Sequence, residues 1–194
     1  MRITELLKKE SIALHVSVDS KEAAIDYLVD LHDKAGNLLD REGYKAGILK
    51  REEEGSTAIG EGIAIPHSKN AAVKKAALAA MTVPDGVDYE ALDGQPSNLF
   101  FMIAAPEDGA DVHLEVLSRL SILLMDEQFR KDLLAAKDID AFLKVIDEME
   151  AKKFPEETVN ETAASEKNCE TKNTSNSKDA TYKVLAVTAC PTGI

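Results

Sequence analysis

The sequence predicts an α/β domain, a sheet with helices packed on its faces. Three observations carry this. Short strand-like runs alternate with stretches of helical period along the first 154 residues. Leu99 to Ala104 is a continuous apolar run of strand length bounded by Pro96 and Pro106, as in a strand buried on both sides. The 194 residues are 44% hydrophobic, enough for one well-buried core and short of two full domains.

The elements follow in order. Ile12, Leu14, Val16 and Val18 alternate, which predicts a half-buried strand. Asp19 or Ser20 can cap the next helix, with Glu22 three residues beyond Asp19. In that helix Ile25, Leu28, Val29 and His32 share a face, and Gly36 follows the last turn. A second helix is predicted over Asp40–Glu54, with Tyr44, Ile48 and Arg51 on related turns and Gly55 as its stop. Two short strands come next, Thr57–Ile59 and Gly62–Ile65, and longer ones at Ala77–Val83 and Leu99–Ala104. Helical period returns over Asp111–Met125, Glu127–Ala136 and Asp138–Ala151.

The composition changes near residue 155. In the 26 residues of Pro155–Ala180, eleven are Ser, Thr or Asn and nine are charged. Such a stretch cannot bury enough surface to offset its ordering entropy, and it reads as a disordered linker. It contains the sequon triplets Asn160-Glu161-Thr162 and Asn173-Thr174-Ser175, read as accidental in an Asn/Thr-rich tract. Residues 181–194 read as a strand running into a turn, the cut-off start of a second domain.

The net charge of -12 excludes polyanion binding, and hence nucleic acid, as the main business. No run approaches the roughly 18–20 apolar residues of a membrane span. The N-terminus, with Arg2, Glu5, Lys8, Lys9 and Glu10, is too charged for a signal peptide. Cys169 and Cys190 stand in unlike contexts and suggest no disulfide framework. The expectation is a cytoplasmic protein.

The segment richest in chemistry is Gly60-Glu61-Gly62-Ile63-Ala64-Ile65-Pro66-His67. Pro66 lacks an N–H and fixes its own backbone angle, so it is expected to end the strand and aim His67 outward. Gly60 and Gly62 are expected to keep the approach to His67 uncluttered. His113 is the second candidate, in the first turn of a helix, where free backbone donors attract anions. Arg51 ends a charge run just before the strand leading to His67; a fixed guanidinium there can hold phosphate oxygens in pairs. Glu52, Glu53 and Glu54 read as solvated. His15 and His32 read as structural. No Gly-Lys-Ser/Thr loop for nucleotide is present. His67, His113 and Asp111 could also be combined into a metal site, although their spacing is undiagnostic.

These residues carry a resemblance. Arg51-Glu52, Ser56-Thr57, Gly60–His67, Gly86-Val87-Asp88-Tyr89, Leu92-Asp93-Gly94, Ala105-Pro106 and His113-Leu114 resemble the enzyme IIA domain (EIIA type 2) of the fructose–mannitol class in the bacterial phosphoenolpyruvate-dependent sugar phosphotransferase system. The resemblance covers about residues 1–150, and with the change of composition near residue 155 the domain is expected over 1–154. It implies a mixed sheet with helices on both faces. It implies His67 as phosphoryl acceptor, His113 as its companion and Arg51 as the nearby cation, with a hydroxyl from Thr57 or Ser56. It implies HPr as donor, an EIIB domain as acceptor and a membrane EIIC domain as a more distant partner. No metal or nucleotide cofactor is implied.

The tail from Val187 to Ile194 is similar to the start of a fructose-type EIIB domain, with Cys190 at the position of the phosphorylated cysteine. Cys190 is expected to be inert here, because the loop that would cradle its phosphoryl group is not in the sequence. Fructose is the sugar this tail implies, with mannitol or another hexose left open. A regulatory module of the same fold and a metallohydrolase are the competing readings.

Overall fold

The structure is a computed structural model and describes residues 2–155. The expected linker over 155–180, apart from Pro155, and the strand over 181–194 with Cys190 lie outside the described residues. A short helix α1 (Ile3–Leu6) leads into β1 (Leu7–Ala13). Helices α2 (Lys21–Lys34) and α3 (Arg41–Glu53) follow, then β2 (Ala58–Gly60), β3 (Ile63–Ala64) and β4 (His67–Lys69). Strands β5 (Ala77–Val87) and β6 (Ser97–Ala105) come next, and α4 (Ala110–Leu124), α5 (Glu127–Leu134) and α6 (Ile139–Lys153) complete the domain.

The sheet is mixed, in the order β1-β5-β6-β3-β2, with β4 also paired to β6. β1 runs parallel to β5, β5 antiparallel to β6, β3 and β4 parallel to β6, and β2 antiparallel to β3. The continuous apolar run of β6 is explained by burial on both faces. Leu99, Phe101 and Ile103 join the core under α1, α4, α5 and α6. Phe100, Met102 and Ala104 join the core under α2 and α3. Burying each phenylalanine contributes about 1.5–3 kcal/mol.

The helix starts are chosen by their caps. Ser20, not Asp19, caps α2, its hydroxyl accepting from Ala23 N–H. Asp40, Asp126 and Asp138 do the same for α3, α5 and α6. On α2 the face predicted from period is the buried one: Ile25, Leu28, Val29 and His32 are all fully covered.

The structure corrects three expectations. The first strand lies at 7–13 rather than 12–18. His15 has a φ of 55°, which no strand tolerates, and its N–H donates to the Thr82 hydroxyl instead of a ladder. The polar Lys8–Glu10 segment escapes the alternation pattern because the ladder to β5 is irregular between Leu7 and Ile12. Second, Pro66 interrupts its strand without ending it. Ile63 and Ala64 pair with Leu99 and Phe100, and His67, Ser68 and Lys69 pair with Ile103, Ala104 and Ala105. The offset of 36 positions is the same on both sides of the proline. Third, Gly60 and Gly62 build the turn from β2 to β3. Gly60, Glu61 and Gly62 all have positive φ, at 90°, 53° and 79°. Asp93 braces that turn, accepting from Glu61 N–H at 2.7 Å. Among the described residues no helix is long and apolar enough to cross a membrane.

Candidate functional site

β4 begins at His67 and has β6 as its partner in the sheet, with His67 half-buried and Lys69 exposed. His67 pairs with Ile103, a residue of the core beneath α4, and so points toward that layer. Ser68, next along, is buried against the α3 side, where Gly47 makes room for it. A Cβ at Gly47 would stand 2.9 Å from Ser68 Oγ and 2.4 Å from Asn70 Nδ2. The two helical layers therefore meet around β4, and between them lies a cleft of about 320 Å³. From α3 and its end come Gly47, Lys50, Arg51 and Glu54; from β4 come His67, Ser68 and Lys69; from α4 comes His113.

The two imidazoles face each other with ring centroids 5.3 Å apart and planes tilted by 54°. The His67 ring is anchored to its own strand, with Nδ1 at 2.7 Å from the Ile65 carbonyl oxygen. A carbonyl only accepts, so Nδ1 carries the proton and donates it. Nε2 then holds the unshared electron pair. That is the tautomer a nucleophilic imidazole needs.

His113 lies in the first turn and a half of α4, its N–H closing on Gly109 O at 3.1 Å. Its Nδ1 is buried and finds no protein partner. Its pKa is lowered from the ordinary histidine value, first by burial, then by the positive charge His67 carries when protonated and by Lys69. It is therefore neutral at neutral pH. Arg51 is half-buried and donates from Nη1 to Gly55 O at 3.0 Å, which leaves further guanidinium donors for an anion.

Three of the candidate residues, His67, His113 and Arg51, are thus brought to one cleft. Ser56 and Thr57 are not among its lining residues. The Ser56 hydroxyl donates to Tyr89 O at 2.7 Å, and the Thr57 hydroxyl donates to the Glu52 carboxylate. Both are committed to holding the start of β2. Glu52, expected in solvent, is buried. His32 is buried, with Nε2 donating to Met102 O at 3.2 Å, and His15 Nε2 lies 3.1 Å from Ala136 O; both are structural, as expected.

Sequence reasoning passed over Lys50 and Lys69. The signal for Lys69 was present, since residues two apart on a strand share a face and Lys69 follows His67 at that spacing. Lys50 precedes Arg51 on α3. Arg51, Lys50 and Lys69 outnumber the one lining carboxylate, Glu54, and give the cleft a local positive field on an otherwise acidic protein, which suits a phosphoryl group. Among the described residues no group of three or more His, Cys, Asp or Glu side chains is arranged to hold a metal ion.

Known proteins share this arrangement of sequence and fold. Residues 5–149 match the family described as phosphoenolpyruvate-dependent sugar phosphotransferase system, EIIA 2. The whole chain is 50% identical to a PTS system fructose-specific EIIABC component of Bacillus subtilis, of which it spans 29% of the length. Over 76% of the chain and 96% of the relative, it is 39% identical to a PTS system fructose-specific EIIA component of Haloferax volcanii. The fold matches the crystal structure of the nitrogen regulatory protein IIA-Ntr from Neisseria meningitidis with a TM-score of 0.69 and 30% identity. That match covers 73% of this chain and 97% of the other.

Proposed function

Because the chain belongs to the EIIA 2 family of the phosphoenolpyruvate-dependent sugar phosphotransferase system, we propose that it carries a phosphoryl group on His67 Nε2 between two protein partners. The donor is the phosphohistidine of HPr and the acceptor is a cysteine of an EIIB domain. The observation that carries this reading is the 2.7 Å bond from His67 Nδ1 to Ile65 O, which leaves Nε2 as the nucleophile in an open cationic cleft.

The chemistry follows from that bond. As Nε2 attacks phosphorus, the new N–P bond forms while the donor's N–P bond breaks in line, and the donor imidazole recovers its electron pair. Positive charge grows on the His67 ring, and the Nδ1–H···O=C bond strengthens to meet it. Negative charge on the three equatorial oxygens is met by Arg51, with Lys50 and Lys69 at the rim. In the second step a cysteine thiolate forms the S–P bond and Nε2 leaves with its electron pair.

The names of the two relatives support fructose as the sugar whose uptake this relay serves. The EIIABC relative joins all three components in one chain, which supports a covalently linked EIIB acceptor and, beyond it, a membrane EIIC partner.

Incubation with phosphoenolpyruvate, enzyme I and HPr should add one acid-labile phosphoryl group. His67→Ala should take up none; a variant that still labels would remove His67 from its role. The likeness to IIA-Ntr favours a second reading, in which the same phosphorylation controls a regulatory partner. A partner captured only in one phosphorylation state, with no transfer to any EIIB domain, would select it.

A further inference from the structure

The run Arg51-Glu52-Glu53-Glu54 contains one carboxylate that does not face water. Glu52 is 8% exposed. Its Oε2 accepts from the Thr57 N–H at 3.2 Å and meets the Lys21 ammonium of α2 at 3.1 Å. Its Oε1 accepts from the Thr57 hydroxyl and, at 3.2 Å, from the Tyr89 hydroxyl. Burying a carboxylate is costly even when it is fully bonded, and apolar side chains fill such a space equally well when only packing is at stake. The arrangement does something an apolar residue would not do. It closes a turn.

Both Thr57 donors end on the Glu52 side chain, and Gly55 N–H donates to Glu52 O at 3.1 Å. The turn from 52 to 57 is therefore tied at its far end and through its middle. Its middle presents the Gly55 carbonyl, which accepts from Arg51 Nη1 at 3.0 Å. That contact anchors one guanidinium nitrogen, and Arg51 lines the cleft with His67. A displacement of about 1 Å in a group that binds the transferring phosphoryl costs on the order of a hundredfold in rate.

We propose that Glu52 is a positioning residue for phosphoryl transfer, holding the Arg51 guanidinium at the His67 cleft through Thr57 and the Gly55 carbonyl. The kinetic part of this proposal rests on His67 being the acceptor; the ordering of Arg51 does not. Tyr89 and Lys21 bond to the Glu52 carboxylate and are not among the residues that line the cleft.

The test combines rates and side-chain order. Transfer from phospho-HPr is measured for the native protein, Glu52→Gln, Arg51→Ala and the double variant. Glu52→Gln should slow transfer about tenfold, and the double variant should be no slower than Arg51→Ala alone. Losses that multiply in the double variant would overturn the proposal, because a general structural role acts with or without Arg51. Tyr89→Phe removes one donor and leaves the ring in place; it should give a smaller loss that also vanishes in the Arg51→Ala background. In the unphosphorylated protein, ¹⁵N relaxation of the Arg51 Nε–H should report an ordered guanidinium that becomes mobile in Glu52→Gln and in Tyr89→Phe. Unchanged order in both would overturn the positioning role. If the native protein takes no phosphoryl group from HPr, the relay reading falls, and the relaxation result still decides the ordering of Arg51.

Discussion

A backbone carbonyl two residues back holds Nδ1 of His67, which leaves Nε2 for the phosphoryl transfer proposed above. Its neighbour His113 is held differently, by burial within a helix and without a partner for its Nδ1. A neutral, partly desolvated imidazole adds no repulsion to an incoming positive ring and can offer a hydrogen bond to a phosphoryl oxygen. His113→Ala should therefore slow phosphorylation of His67 by about ten- to a hundredfold while leaving the thermal midpoint nearly unchanged. Stopped-flow rates alongside a melting curve check this, and a full-speed variant would make His113 a bystander. At this scale the sequence made His67, His113 and Arg51 visible, because proline, a helix start and a charge run are local signals. Glu52, Ser56 and Thr57 were misjudged for one shared reason. Glu52 meets Lys21 and Tyr89 and Ser56 meets Tyr89, each more than 30 residues away, Thr57 is tied to Glu52 itself, and a charge run looks the same in solvent as in a buried network.

At the scale of elements, the spacing between α3 and β4 decides how far the cations of one stand from the histidine of the other. Gly47 sets that spacing, since a methyl group there would press on Asn70 and Ser68. Gly47→Ala should push α3 outward, cost about 1–3 kcal/mol in stability, and slow phosphoryl uptake. Denaturant midpoints and labelling rates measure the two effects; unchanged values would mean that Ser68 and Asn70 yield without moving the helix. The helices α2 to α6 were legible to within two residues, because a capping side chain marks the start of α2, α3, α5 and α6 and apolar period marks α4, whose N-cap is Gly109. The small strands were less so. β4 has three residues and begins with a histidine after a proline, so nothing in its composition speaks for a strand. It forms because β6 already offers a register in which it fits. Tertiary pairing made that element, and no local pattern could reveal it.

For the molecule as a whole, the buried His32 links stability to acidity. Burial pushes its imidazole down to about 4, while an unfolded chain holds it near 6.5. Above pH 6.5 both states are neutral and the group exerts no pull. Between about 6.5 and 4 the unfolded chain binds a proton that the folded one refuses, so the fold loses up to about 3 kcal/mol as pH falls. Denaturation of the native protein and His32→Gln at pH 7 and pH 4.5 checks this. The variant should lose less over the interval than the native protein, and equal losses would assign the acid sensitivity to other groups. The mixed sheet with a helical layer on each side came from the resemblance and from the doubly apolar run of β6, and the structure has that architecture.

The strand that bears His67 stays in step with the central strand across Pro66, so the imidazole is anchored to the middle of the sheet and lines a single cleft with Arg51 and His113. Under the relay proposed above, cargo enters and leaves by the same door. Giver and receiver cannot be seated together, and each visit must end before the next begins. Turnover in such a system is governed by how briefly each visitor stays, which favours loose, short-lived encounters over tight embraces.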